Sequence, residues 1–280
     1  MKEENNGFYI TFKDGNIFKQ LVEVCKDLLC DVNIQICEDG MHMQAMDASH
    51  VSLTNFFLAK DSFLSYFAPA TFTVALSLKS LSTILKCYKD NFQLSLTANG
   101  TNPETMNIVM LRKDCGKSSM KGPPSLPSNL EDEELQQQYT FTLNLMQIEQ
   151  EFLQIPTDEV PDCEIKMNSG DFNEFIKNIS LIGSSLELKT IGKLVEFNTS
   201  GDIGKVSACQ SFSKKNMKFN RVGNYSLHLN IRYLLSFAKG SFFSNIVDLR
   251  IKEEQPLQMR YQNEKGSFLE FFLAPKFEDE

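Results

Sequence analysis

The side chains able to do covalent or proton-transfer chemistry are few and scattered. Three histidines (His42, His50, His228) and seven cysteines (Cys25, Cys30, Cys37, Cys87, Cys115, Cys163, Cys209) are the candidate nucleophiles, bases and metal ligands. A cysteine paired with a histidine can make an activated thiolate, but no local signature around His50 supports such a dyad. His42 lies between two methionines in Met-His-Met, the setting of a structural residue. The cysteines are odd in number and contain no C-x-x-C pair, so neither a disulfide framework nor a thiolate metal site is expected. The chain has no G-x-S-x-G elbow, no phosphate-binding G-x-x-x-x-G-K-[ST] and no H-E-x-x-H. Asp162 and Glu164 read as solvated carboxylates of a connector. The expectation is a protein with no catalytic residues, no metal and no cofactor.

Composition narrows the class further. At 280 residues and 42% hydrophobic, the chain can bury two ordinary cores. No apolar run reaches the length of a membrane span. The opening MKEENNGFYI lacks a basic start followed by an apolar stretch, so no secretory signal is expected and a nuclear or cytosolic setting is. A net charge of -8 argues against nucleic-acid binding unless the cations are gathered on one face.

The elements that must position any site repeat along the chain. Four stretches have helical spacing. The first follows Asp14-Gly15, with Ile17, Phe18, Leu21, Val22, Val24, Cys25 and Leu28 on its apolar side. The second covers residues 77–89. The third follows Ser169-Gly170 as DFNEFIKNISLI, and the fourth covers residues 230–240 and closes on Gly240. The first and third, like the second and fourth, stand roughly 150 residues apart, a spacing that marks an internal duplication. Between and after them lie alternating runs such as VNIQIC, MHMQAM, FQLSLTA, LELKT, YSLHLN and FLEFFL, which read as strands. The pattern predicts an α+β protein of two similar domains, each with antiparallel sheets and two helices. The expected boundaries are 1–145 for the first domain, 146–162 for an extended connector stiffened by Pro156 and Pro161, and 163–280 for the second. Residues 112–134, rich in Lys, Ser, Pro and Gly and then acidic, fall outside the repeat and read as a disordered insertion.

Several segments carry a more specific resemblance. MDASHVSL (46–53), ILKCYK (84–89), LQIP (153–156), KMNSGDF (166–172), the pair Arg232-Tyr233 and LAPKFEDE (273–280) occur in this order. Together they resemble the proliferating cell nuclear antigen family, the eukaryotic DNA sliding clamps. The resemblance spans nearly the whole chain apart from the first few residues and the 112–134 insertion. It implies that three chains close head to tail into a ring, with helices lining a hole through which duplex DNA passes.

Charge placement agrees with that implication. Lys19 and Lys26 are seven apart on the first helix, as are Arg232 and Lys239 on the fourth, so each pair shares a face. By resemblance, Lys19, Lys26, Lys86, Lys177, Arg232 and Lys239 face the DNA. Gln20, Thr83 and Glu174 stand where the family usually carries further cations, so the lining is expected to be less positive than usual. Such contacts to phosphates give salt-sensitive binding without base readout.

The resemblance implies two further surfaces. Partner proteins insert a short helical turn into an apolar pocket, here matched by Met46, His50, Val51, Leu53, Leu153, Ile155, Pro156, Pro256, Ala274 and Pro275. Val160 and Gln255 depart from the usual residues there. The subunit interface is expected to join the strand at Tyr139 to an edge strand at 205–210 of the next chain. The family's modifiable lysine falls on Gly192, beside Lys193. The resulting expectation is a nuclear, homotrimeric processivity factor for replication and repair. Its expected partners are duplex DNA, a clamp loader, and polymerase, ligase and nuclease peptides with clamp-binding motifs. The alternatives are a subunit of a heterotrimeric checkpoint clamp, a specialised clamp paralogue, and the unsupported cysteine–histidine enzyme.

Overall fold

Two stretches of the chain fold through the same series of elements. In the computed structural model, which describes residues 7–113, 137–149, 160–213, 216–221 and 223–276, the first series runs β1 (Phe8–Phe12), α1 (Gly15–Lys26), β2 (Asp31–Cys37), β3 (Gly40–Met46), β4 (Ser52–Ala59), β5 (Phe63–Phe67), β6 (Phe72–Ser77), α2 (Leu78–Leu85), β7 (Phe92–Ala98), β8 (Thr105–Arg112) and β9 (Gln138–Asn144). The second runs β10 (Cys163–Asn168), α3 (Ser169–Ile179), β11 (Ser185–Ile191), β12 (Leu194–Gly201), β13 (Gly204–Ser211), β14 (Met217–Phe219), β15 (Tyr225–Asn230), α4 (Ile231–Ala238), β16 (Ile246–Ile251), β17 (Leu257–Gln262) and β18 (Phe268–Leu273). The duplication expected from helix spacing is therefore complete at the level of elements.

Strand order carries the same duplication. One five-strand run is β5-β1-β7-β8-β9, and β14-β10-β16-β17-β18 repeats it with each strand nine places later. The four-strand order β4-β3-β2-β6 is repeated as β13-β12-β11-β15. All the strand pairings with a described register are antiparallel, from β1–β7 to β17–β18. β18 goes on to pair with β4. Among the described residues, β9 and β13 end their sheets.

The chain forms two compact units, Met1–Lys26, Cys30–Met43 and Phe57–Gln150 in one, and Asp27–Leu29, Gln44–Phe56 and Glu151–Glu280 in the other. In the first, α1 packs on α2. α1 buries Phe18, Leu21, Val22 and Cys25, the 3.6-residue stripe read from the sequence. Phe18 stacks on Phe12 of β1 at 4.7 Å between ring centroids. A Cβ at Gly15 would stand 2.6 Å from the Tyr88 ring, so the helix entry requires glycine. In the second unit, α3 packs on α4. Phe237 of α4 stacks on Phe271 of β18 at 4.4 Å, and Phe175 of α3 meets Phe197 of β12 edge-on at 4.9 Å. Each helix pair thus closes over sheet faces by aromatic contact. Asn168 and Asn230 cap α3 and α4, accepting the backbone N–H of Asp171 and Arg232 at 3.0 Å.

The structure trims the expected helices. α1 stops at Lys26 and α2 at Leu85, short of Leu29 and Lys89. Leu29 is buried after the turn, in the second unit. β5 and β14 were not legible as strands. Phe-Leu-Ser-Tyr-Phe shows no alternation, and Met-Lys-Phe is too short to show a period. The 112–134 insertion lies outside the described residues from 114 onward, as do residues 150–159 of the expected connector.

The second unit carries a polar row across one sheet face. Lys166, Asp248, Arg260 and Glu270 lie directly opposite one another on β10, β16, β17 and β18, alternating in charge. Burial pushes the Asp248 carboxyl above the ordinary carboxylate range, although the Arg250 and Lys166 charges pull the other way. Its Oδ1 has no hydrogen-bond partner. A raised folded-state pKa means the ionised form costs stability at neutral pH, and the cost disappears below the ordinary value of 3.8. Asp248→Asn is therefore expected to raise Tm at pH 7 by about 2 °C and to match the wild type near pH 3. Thermal scans across that range, with an unchanged or lower Tm at pH 7, would rule this out.

Candidate functional site

The segment 46–53 forms a tight turn between β3 and β4, built around one carboxylate. Asp47 is 6% exposed. Its Oδ1 accepts the backbone N–H of Val51 at 2.9 Å, and that of Ser52 at 2.5 Å together with the Ser52 hydroxyl at 3.1 Å. Its Oδ2 accepts the N–H of Ser49 at 3.1 Å and the Tyr233 hydroxyl at 2.9 Å. Burial works to raise the Asp47 pKa, but these donors outweigh it and hold the carboxyl below its ordinary range. The turn carries His50 at φ +55°, a left-handed conformation that side chains adopt at a cost.

The chain's last described residues meet this turn. The Ala274 N–H donates to the Val51 carbonyl at 2.9 Å, and the Lys276 N–H to the His228 carbonyl at 2.7 Å. Leu257 pairs with Leu273, which sets Pro256 beside Ala274 at the same end of β17–β18. Met46 and Val51 are half-buried, Leu53 is buried, His50 and Pro256 are exposed, and Ala274 and Pro275 are half-buried. The structure thus gathers Val51, Pro256, Ala274 and Pro275 from segments some 220 residues apart. Leu153, Ile155 and Pro156 lie outside the described residues. Gln255 is half-buried and Val160 is 66% exposed.

The cations expected on the helices are on them or at their ends. Lys19 and Lys26 are on α1, Lys86 caps α2, Lys177 is in the last turn of α3, Arg232 is in the first turn of α4 and Lys239 caps it. Lys86, Lys177, Arg232 and Lys239 are exposed, and the two α1 lysines are half-buried. Three of the six already have internal partners. The Lys19 ammonium donates to the Tyr88 carbonyl at 3.0 Å. Lys26 pairs with Glu23 one turn back, and Lys239 pairs with Asp27 at 2.6 Å. Glu23 also accepts the Ser82 hydroxyl at 2.5 Å. Burial opposes ionisation of Glu23, but Lys26 and Ser82 prevail and hold its pKa below the ordinary range.

Sheet edges form a third feature. On the edge strand β9, Tyr139 is 41% exposed and leans on Phe92 and Phe141, with ring centroids 5.7 and 6.5 Å away. Beside the edge strand β13, Met167, Asp171, Phe175, Phe197, Ala208, Cys209 and Gln210 line a cavity of about 250 Å³. Gly192 makes the β11–β12 turn at φ +59°, with Lys193 exposed next to it.

Sequence reasoning passed over Asp47 and Tyr233 as organisers of the turn, and Glu23 and Asp27 as counter-ions. Asp-x-Ser is an Asx-turn signal, and Glu23–Lys26 has helical i,i+3 spacing. The Tyr233 and Lys239 contacts bridge 186 and 212 residues and leave no local signal.

Comparison with known proteins matches both halves of the chain. The family model described as proliferating cell nuclear antigen, N-terminal domain, matches residues 8–122, and the corresponding C-terminal domain model matches residues 154–276. Proliferating cell nuclear antigen of Saccharomyces cerevisiae is 29% identical over 275 residues, covering 96% of this chain and 98% of the relative. That of Chaetomium thermophilum is 28% identical over 274 residues, covering 96% and 97%. The crystal structure of the Entamoeba histolytica protein superposes with a TM-score of 0.79 at 25% identity, covering 96% of this chain and 99% of that one. With the duplicated α+β fold, these matches establish that the chain belongs to the proliferating cell nuclear antigen family of DNA sliding clamps.

Proposed function

We propose that three copies of this chain close head to tail into a ring around duplex DNA, through the pairing of β9 of one copy with β13 of the next. The observation that carries this reading is the duplicated strand order. Within one chain, β18 pairs with β4. Under the duplication β18 corresponds to β9 and β4 to β13, yet β9 and β13 each end a sheet. Pairing them between chains would extend the five-strand order by the four-strand order, as β18 and β4 do within the chain. An unpaired edge strand is a template for such joining, and a head-to-tail contact that closes gives a ring. Light scattering across a dilution series tests this. The expected mass is about three times 31.9 kDa; a monomer or dimer at every concentration would overturn it.

In such a ring Lys19, Lys26, Lys86, Lys177, Arg232 and Lys239 face the DNA phosphates. The contacts are electrostatic and independent of base sequence, which suits a ring that slides. Glu23 and Asp27 then compete with phosphates for Lys26 and Lys239. Glu23→Gln and Asp27→Asn are each expected to tighten duplex binding about threefold at low salt, the scale of an exposed ion pair. The gain should shrink as salt rises. Fluorescence anisotropy with a labelled duplex reads this, and unchanged or weaker binding in both variants would contradict it.

The turn at 46–53 with Pro256, Ala274 and Pro275 is the surface for partner peptides; Leu153, Ile155 and Pro156, expected to share that role, lie outside the described residues. An adaptable wall of Met46 and branched aliphatics beside rigid prolines suits a short helical turn with aliphatic and aromatic anchors. Polymerase, ligase, nuclease and clamp-loader peptides are the partners of this class. Work in the nucleus and a role without catalysis complete the reading. A closed ring holds its partners at the template by topology and raises their effective concentration there.

A further inference from the structure

Tyr233 follows the DNA-facing Arg232 on α4, and its hydroxyl reaches the carboxylate that organises the partner turn. We propose that Tyr233 is a positioning residue for the partner-binding surface, acting through its hydrogen bond to Asp47. The proposal rests on the partner-surface reading of 46–53 given above.

The carboxylate has two oxygens with divided duties. Oδ1 gathers the N–H groups of Val51 and Ser52 and the Ser52 hydroxyl, while Oδ2 holds the Ser49 N–H and Tyr233. Backbone donors within the turn move with it. Tyr233 is the donor that comes from another element, so it fixes the carboxylate against α4. The Tyr233 ring is itself seated beside Phe237, with ring centroids 6.4 Å apart. What the carboxylate holds is strained: His50 keeps its left-handed backbone only while its neighbours are tied. Val51, held by Oδ1 through its N–H, offers its carbonyl to Ala274. The same anchor therefore orients both the turn and the Ala274–Pro275 step. Burial, followed by the bond to Asp47, pushes the phenol pKa up, so the hydroxyl remains a donor throughout the neutral range.

Tyr233→Phe removes one oxygen and keeps the ring. In the full chain, amide exchange at Ser49, Val51 and Ser52 is expected to speed up about tenfold or more, the scale of one lost hydrogen bond to a charged group. Exchange in β16 and β17 is expected to stay unchanged. A synthetic peptide carrying one aliphatic and two aromatic anchors on a single helical turn is expected to bind about fivefold more weakly, mainly through faster dissociation. Asp47→Asn, which keeps an oxygen acceptor but loses the charge, is expected to show the same pattern. Arg232→Ala is the contrasting case, with weaker duplex binding and an unaltered turn.

If the wild type binds the peptide and Tyr233→Phe binds it equally well, the positioning role is refuted. Faster exchange spread evenly over the second unit would also refute it, since that reports general loosening. A wild-type chain that ignores the peptide sinks instead the partner-surface reading beneath it.

Discussion

Tyr139→Ala is expected to convert the proposed ring into monomers. Tyr139 stands exposed on the free edge β9, and an apolar cavity of about 250 Å³ opens beside the free edge β13. A tyrosine at the centre of an interface commonly contributes about 2 kcal/mol on truncation to alanine. A closed trimer has three such contacts, so the ring as a whole loses roughly 6 kcal/mol. The ring then dissociates at correspondingly higher concentration, and clamp-dependent processivity falls with it. The isolated chain should lose only a few degrees of Tm, because the side chain is 41% exposed and gives up its ring contacts with Phe92 and Phe141, about 1 kcal/mol. Light scattering and a thermal scan of the same sample separate the two effects. Ala208→Glu, which puts a charge into the cavity from the other side, should give the same dissociation. A Tyr139→Ala trimer stable to nanomolar dilution would show that the edges join elsewhere, or not at all.

Glu270→Ala is expected to destabilise the fold strongly. Glu270 is 1% exposed on β18 and serves as the hub of the polar row. It accepts from Gln258 at 2.6 Å, from Asn55 of β4 at 3.2 Å and from Arg260 at 3.4 Å. The Arg260 guanidinium lies over the Phe268 ring, 4.4 Å from its centroid, and its Nε has no partner. Removing the carboxylate takes the acceptor away from this half-buried cation and from the Gln258 and Asn55 amides, which costs about 3 kcal/mol. For a chain of this size the fall in Tm is roughly 6–12 °C. Glu270→Gln keeps the volume and the acceptor and should lose about a third as much. Equal losses in the two variants would mean that charge is not what Glu270 supplies. The Asn55 contact adds a consequence for the pairing of β4 with β18: strand exchange protection at 52–56 should drop in Glu270→Ala before that of β10 or β16.

The two substitutions act on corresponding places in the duplication. One strand pairing lies within the chain and holds a buried hydrogen-bonded carboxylate. The other is proposed between chains and presents a tyrosine opposite a cavity. A contact made while the chain folds can bury charge, since its partners are always present. A contact made by association must survive apart, so its surfaces stay soluble and partly polar, as Gln138, Thr140 and Thr142 are on β9.

The sequence by itself determined the duplication, the α+β class and the family. Helical periodicity of Phe18, Leu21, Val22 and Cys25 and strand alternation are local properties, visible wherever one face is buried. The motifs at 46–53 and 273–280 carried the family resemblance for the same reason, since such segments are written in neighbouring residues. Only the tertiary structure decided how these surfaces are held. The Asp47–Tyr233 and Lys239–Asp27 contacts and the Glu270 hub join residues 186, 212 and 215 positions apart. Side-chain pairs at that separation have no period and no spacing. The Asp47 and Glu270 contacts exist because packing brings those carboxylates out of water, where each must find partners.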